Sequence, residues 1–203
     1  MKNQTKYPYS ESDTIQPGLR TGEDSMAKYT SLSAAKTALL IIDVQRALFT
    51  RHDPVFNDWQ VVETINALVT RAHLFGVRVV YIQHENESIL VKGSDGWQFH
   101  PDIKPITTDL IIHKKQGNAF LGTTLQSDLE ARGIKHLLIT GLVTQGCVRA
   151  TSLGGLERDY DVFLVQGAHS NYSKDAESVI EKKEAELQEA GVHLVTPEQL
   201  DFN

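Results

Sequence analysis

The chain has 203 residues, 40% of them hydrophobic and 23% charged, with a formal net charge of −6 and a single cysteine, Cys147. That length suits one domain, able to bury roughly 70% of its unfolded surface without a disulfide or metal staple. The acidic balance and the lack of a Lys/Arg stripe argue against a nucleic-acid partner, and one thiol excludes an intrachain disulfide and suits a reducing compartment.

No apolar run reaches the roughly 18 residues of a membrane span. The opening MKNQTKYPYSESDT has no apolar stretch of the secretory kind. The expectation is a cytoplasmic protein with no membrane partner.

Residues 1–35 are polar and aperiodic and read as an extension, flexible or docked on a partner subunit. Residues 36–203 read as the domain. From Thr37, TALLIID is the continuous apolar run of a strand buried on both faces. Residues 57–75 predict an amphipathic helix with Val61, Val62, Ile65, Leu68, Val69 and Ala72 on one face. Asn57 with Gln60 resembles a capping box, and Gly76 a stop. Residues 78–83 predict the second strand. A long polar loop follows, holding Gly93, Gly96, Trp97, His100 and Pro101.

Residues 109–113 predict the third strand, and 123–132 a helix capped by Thr123 and Gln126 and stopped by Gly133. Residues 135–141 predict the fourth strand, with a helix from near Gly146 to about Arg158 after it. A fifth strand over 161–166, a charged helix over 174–190 and a short sixth strand over 192–196 complete the pattern. Apolar strands alternating with amphipathic helices imply a mainly parallel six-stranded sheet covered on both faces.

In open α/β sheets, ligands bind at the carboxyl ends of the strands. Asp43 closes the first strand, Lys114 follows the third, and Cys147 lies six residues beyond the fourth. A helix N-terminus and a nearby ammonium both lower a thiol's pKa, and Lys114 supplies the ammonium. Asp43 can take the thiol proton and later activate water. Backbone N–H groups around Val143 and Cys147 can stabilise an oxyanion. Each residue also has a plainer reading: a small buried hydrophobe for Cys147, a turn residue for Asp43, a solvated charge for Lys114.

Three segments then resemble one family, the isochorismatase-like cysteine hydrolases, which include nicotinamidases, carbamoylsarcosine amidases and ureidoacrylate-type amidohydrolases. They are LLIIDVQRALF (39–49), with Asp-x-Gln at Asp43 and Gln45; IIHKKQGNAFLGTTLQSDLEARGI (111–134); and HLLITGLVTQGCVRAT (136–151), similar to Gly-x-x-Thr-x-x-Cys-Val-x-x-Thr. The resemblance covers roughly residues 37–195. Its spacing selects Lys114 over Lys115, because Ala119 lies five residues beyond Lys114. The resemblance implies a Rossmann-like three-layer α/β/α sandwich, an Asp43–Lys114–Cys147 triad, and a non-proline cis peptide between Leu142 and Val143. That bond would aim the Val143 N–H into an oxyanion hole shared with the Cys147 N–H. It also implies a dimer, tetramer or larger ring of identical chains.

The chain departs from the family in several places. Nicotinamidases carry a metal-binding Asp/His cluster, whereas His84 and His100 stand 16 residues apart and read as loop or pocket histidines. No metal and no cofactor is expected. Gly167-Ala168 replaces a frequent Asp-Ala, Gly155 a usual Ala, and Asp159 a usual Gly.

The resulting expectation is a hydrolase of small-molecule carbon–nitrogen bonds (amide, ureide or lactam) working through a thioester. Gln45, Phe49 and Trp97 are candidate substrate contacts. Gln45 equally suits orienting Asp43, and Trp97 equally suits anchoring its loop. His169, after the fifth strand, is a weaker pocket candidate. The alternatives are a non-catalytic binding or assembly protein on the same fold, and an isochorismate-type vinyl-ether hydrolase, which would not use the cysteine. A nucleotide-binding Rossmann domain is disfavoured because no Gly-x-Gly-x-x-Gly or P-loop is present.

Overall fold

The computed structural model describes residues 29–203. Its centre is a six-stranded parallel sheet in the order β4-β3-β2-β5-β6-β7. The strands are β2 (Thr37–Ile42), β3 (Arg78–His84), β4 (Leu110–Lys114), β5 (His136–Leu142), β6 (Asp161–Ser170) and β7 (His193–Val195). A short β1 (Thr30–Leu32) pairs in parallel with β8 (Leu200–Phe202) in a separate two-stranded sheet. The helices are α1 (Arg46–Phe49), α2 (Asp58–Phe75), α3 (Leu125–Glu130), α4 (Arg149–Leu156) and α5 (Ala176–Glu189).

Successive strand residues point to opposite faces, so each strand feeds two cores. Leu39, Ile41, Val79, Tyr81 and Leu138 pack against the apolar face of α2. Leu40, Ile42, Val80, Ile82, Leu137 and Ile139 pack against Leu125 and Leu129 of α3, Leu153 and Leu156 of α4, and Leu187 of α5. The result is the three-layer α/β/α sandwich with a parallel six-stranded sheet. No helix among the described residues is long and apolar enough to cross a membrane.

Several local expectations change. Thr30–Leu32 is a strand held by the chain's own β8, so residues 30–35 belong to the domain and not to the extension. Strands of three residues carry no periodicity, so the sequence does not reveal this pair. Residues 1–28 of the expected extension lie outside the described residues. Asn57 adopts a left-handed φ of 50° and makes no side-chain cap, so there is no capping box with Gln60. Gly76, at φ 77°, does end α2. Thr123 Oγ1 accepts the Leu125 N–H, but Gln126 turns away to Glu130 and Arg158.

β6 runs four residues further than the sequence suggests, to Ser170, and its pairing with β5 shifts register between Ile139 and Gly141. Gly167, at φ 74°, lies in the stretch that absorbs this shift, a backbone role for the glycine that replaces Asp. Gly155 lies where a Cβ would stand 2.9 Å from Val162 Cγ2, so its absence lets α4 settle onto the sheet.

Candidate active site

The sheet order reverses between β2 and β5: the chain builds outward to β3 and β4 on one side and to β6 and β7 on the other. A crevice at the carboxyl ends of these two strands is where such sheets bind ligands. Asp43 follows β2, and the turn bearing Cys147 follows β5. Lys114 is the last residue of β4, one strand beyond β3.

Asp43 takes a left-handed φ of 53° and is anchored by its N–H, which donates to the Ile82 carbonyl at 2.9 Å. Its buried Oδ2 accepts from Lys114 Nζ at 2.7 Å. Oδ1 is also buried and has no hydrogen-bond partner among the described residues. The Lys114 side chain is 0% exposed. Its Nζ lies 3.2 Å from Cys147 Sγ and 3.1 Å from His84 Nδ1. The neighbouring Lys115 points outward to Glu85, so the structure and the motif spacing agree on which lysine is internal.

Thr144–Val148 forms a π-helical turn kinked at the non-helical Gly146, and helical backbone then runs on through Val148 into α4, so Cys147 lies at the start of this helix. The Leu142–Val143 peptide is cis, as the resemblance implies, and the Val143 carbonyl accepts the Gly146 N–H at 2.9 Å. The helix start and Lys114 do not, however, give the thiol the low pKa expected of it. Burial, followed by the Asp43 charge, pushes the half-buried Cys147 thiol up to about 12, and Lys114 opposes this only in part.

The other motif residues tie these segments together. The Ala119 N–H donates to Thr151 Oγ1 at 3.1 Å, linking the segment after Lys114 to α4. Thr144 Oγ1 pairs with His169 Nδ1 at 2.9 Å. His169 Nε2 lies 3.2 Å from Glu184, which also accepts from Gln166 at 2.8 Å. Burial works against ionised Glu184, but the bonds from His169 and Gln166 outweigh it and hold its pKa below the usual range. His169 therefore braces the Cys147 turn from behind.

Gln45, a candidate either to contact substrate or to orient Asp43, holds backbone instead. It is fully buried, accepts the His84 N–H at 2.9 Å, and donates to the His84 carbonyl at 2.9 Å and the Trp97 carbonyl at 2.8 Å. Its amide is occupied by backbone. Gln83 also donates to the Trp97 carbonyl, at 2.8 Å. These bonds give Trp97 the loop-anchoring role. Its indole packs with Leu90, Leu142 and Val143 beside the cysteine turn, and its buried N–H has no partner among the described residues. Phe49 is half-buried against the same cluster, its ring 4.6 Å from that of His100.

Sequence reasoning gives His84 no part beside the triad, reading it as a loop or pocket histidine. Asp43, His84 and Cys147 bring ligand-type atoms within 4.8 Å of one another, a set that by residue type could hold a metal. Lys114 Nζ, however, lies 2.7–3.2 Å from an atom of each. The ammonium stands in the position an ion would take, so these residues do not fit a metal. The signal that could have found His84 is register: His84 pairs with Lys114 across β3 and β4, which puts their side chains on one face.

Comparison with known proteins gives the family of the chain. The isochorismatase domain model matches residues 37–197, and the chain belongs to the isochorismatase family. A streptothricin hydrolase of Streptomyces noursei is 30% identical over 137 residues, covering 66% of this chain and 50% of that protein. The ureidoacrylate amidohydrolase RutB of Acinetobacter baylyi is 28% identical over 169 residues, covering 64% of this chain and 68% of its own length. The chain thus spans about half the length of the streptothricin hydrolase it matches.

Among solved structures, an isochorismatase family protein superposes with a TM-score of 0.76 at 25% identity, over 80% of this chain and 99% of the other. The pyrazinamidase of Pyrococcus horikoshii, solved in complex with zinc, gives 0.72 at 22% identity, over 79% and 99%. That second likeness is one of fold.

Proposed function

We propose that this protein is a cysteine hydrolase of small carbon–nitrogen compounds (amides, ureides or lactams) that works through a thioester on Cys147. The observation that carries the reading is the buried Lys114 ammonium, in hydrogen-bond contact with both the Asp43 carboxylate and the Cys147 sulfur. The names of two relatives, an amidohydrolase and a streptothricin hydrolase, support it.

The resting thiol keeps its proton, because one ammonium balances one negative charge and not two. Asp43 takes that proton through its free Oδ1, so the negative charge moves from oxygen to sulfur beside Lys114 without increasing. The thiolate attacks the carbonyl carbon. The resulting oxyanion is held by the Val143 and Cys147 N–H groups. Asp43 returns the proton to the departing nitrogen as the C–N bond breaks. Asp43 then deprotonates a water, which attacks the thioester. The carboxylate product leaves and sulfur regains its proton.

The substrate is a small molecule, and Phe49 and Trp97, packed in one cluster with Leu142 and Val143 of the cysteine turn, are its candidate apolar contacts. A vinyl-ether hydrolase would leave this thiol without a task. Cys147→Ala should abolish release of ammonia or amine from a panel of amides, ureides and lactams while the circular dichroism stays unchanged. Mass spectrometry of the wild type quenched during turnover should find the acyl group on Cys147. Turnover surviving in Cys147→Ala would end the covalent reading, and a wild type inert on the whole panel would favour a binding protein. A homo-oligomer is the expected assembly. Light scattering with and without residues 1–28 tests whether that segment holds it together, and an unchanged mass would count against the idea.

A further inference from the structure

An ammonium has three donors, and in a buried position each needs an acceptor. Lys114 spends two on Asp43 Oδ2 and Cys147 Sγ. The group facing the third is His84 Nδ1 at 3.1 Å. Lysine offers only protons, so Nδ1 must be the bare nitrogen of a neutral ring, with its hydrogen on Nε2.

His84 is itself held from two directions. Its register partner across β3 and β4 is Lys114. Gln45 grips its backbone N–H and its carbonyl, both at 2.9 Å, as a neighbouring strand would. A run of contacts therefore leads from Gln45 through the His84 backbone and ring to the Lys114 ammonium, and from there to both reacting groups. Nothing in the cysteine mechanism yet uses this run.

We propose that His84 is a positioning residue of the reaction centre: its bare Nδ1 takes the third hydrogen of Lys114 and fixes the ammonium between Asp43 and Cys147. Gln45 serves the same end one step further out. The inference rests on the cysteine-hydrolase reading and deepens it. Without His84, one buried N–H of Lys114 has no acceptor, and the flexible lysine stem is free to turn the ammonium away from the sulfur. The charged and titratable groups around the ring are Lys114 from β4, Asp43 after β2, Cys147 after β5 and Glu85 beside it in sequence. Burial and the Lys114 ammonium facing Nδ1 outweigh the Asp43 and Glu85 carboxylates and keep the ring neutral.

Because Cys147 is the sole cysteine, its alkylation by iodoacetamide reports on this centre without any substrate. At neutral pH, His84→Leu should slow alkylation about tenfold or more relative to wild type, the loss of one hydrogen bond to a charged group. It should approach the rate of Lys114→Met. His84→Asn, whose Oδ1 replaces Nδ1 as acceptor, should stay within about threefold of wild type. A merely packing role predicts the reverse order, with apolar Leu tolerated and Asn not. Nitrogen-15 NMR of the wild type gives an independent readout if His84→Leu does not fold: the His84 ring should carry its proton on Nε2.

A proton on Nδ1, or a His84→Leu rate equal to wild type, would overturn the inference. A rate that responds to Lys114→Met but not to His84 substitution would sink this inference alone. A rate indifferent to Lys114 as well would sink it together with the cysteine-hydrolase reading.

Discussion

A thiol whose pKa stands at about 12 does not become a nucleophile by losing its proton to neutral water. In this centre the proton must go to Asp43, and the two groups act as one acid sharing one counter-charge. A counter-intuitive outcome follows. Asp43→Asn removes the charge and the hydrogen bond that raise the thiol pKa, while Lys114, which lowers it, remains. The thiolate becomes the partner of the ammonium, so the Cys147 pKa falls, as titration of the thiolate ultraviolet absorbance would reveal. Turnover nevertheless disappears, because nothing is left to protonate the leaving nitrogen or activate water. A thiol pKa that stays put or rises in Asp43→Asn would contradict the shared-proton picture.

The strands bring these residues together only because two backbones pass very close. Gly141 of β5 faces Ile42 of β2, and a Cβ there would lie 2.1 Å from the Ile42 carbonyl oxygen. Its φ of 104° also disfavours any side chain. Gly141→Ala should cost about 3 kcal/mol or more, read as a lower urea midpoint. It should also impair the site, since Asp43 and the Val143 turn each begin within two residues of this contact. The opposite sign is expected just beyond α4, where Asp159 holds a left-handed φ of 60°, a conformation that glycine adopts without strain. Asp159→Gly should raise stability by about 0.5–1 kcal/mol, measurable in the same urea titration.

Over the whole molecule, ionisation brackets stability between two limits. Burial lowers the pKa of His84, His100 and His113 below 6.5. The unfolded chain therefore binds protons there that the folded chain refuses, and this part of the stability is complete above 6.5 and lost as the pH falls. Glu184 adds a second loss below 4.5, because its folded pKa is lowered. Cys147 acts from the other side. It keeps its proton between 9.0 and about 12 while the unfolded thiol loses it, so its contribution is complete below 9.0 and fades as the pH rises. Buried Tyr81, raised from 10.0, adds to the alkaline loss. Urea midpoints across buffers should form a plateau between about 6.5 and 9 with a fall on either side. A maximum at acid pH would refute this account.

Much of this was legible in one dimension. Strands such as TALLIID, buried on both faces, declare themselves by unbroken apolarity, and the helical spacing of Val61 to Ala72 matches the face of α2 that meets the sheet. With the alternation of the two, these patterns determine a parallel sheet and so place Asp43, Lys114 and Cys147 at its carboxyl edge. What spacing cannot carry is electrostatics and side-chain pairing across strands. The pKa of Cys147 depends on how much water burial removes and on a carboxylate 104 residues away in sequence. His84 reads from sequence as a loop or pocket histidine, and only the register of β3 against β4 sets it beside Lys114. Gln45 reads equally as a substrate contact or as a support for Asp43, and only the structure shows its amide closed on the His84 backbone. Local pattern reports which groups are buried and where each element ends. Tertiary structure alone decides which buried charges share a proton, because that depends on distances of about 3 Å between residues remote in the chain.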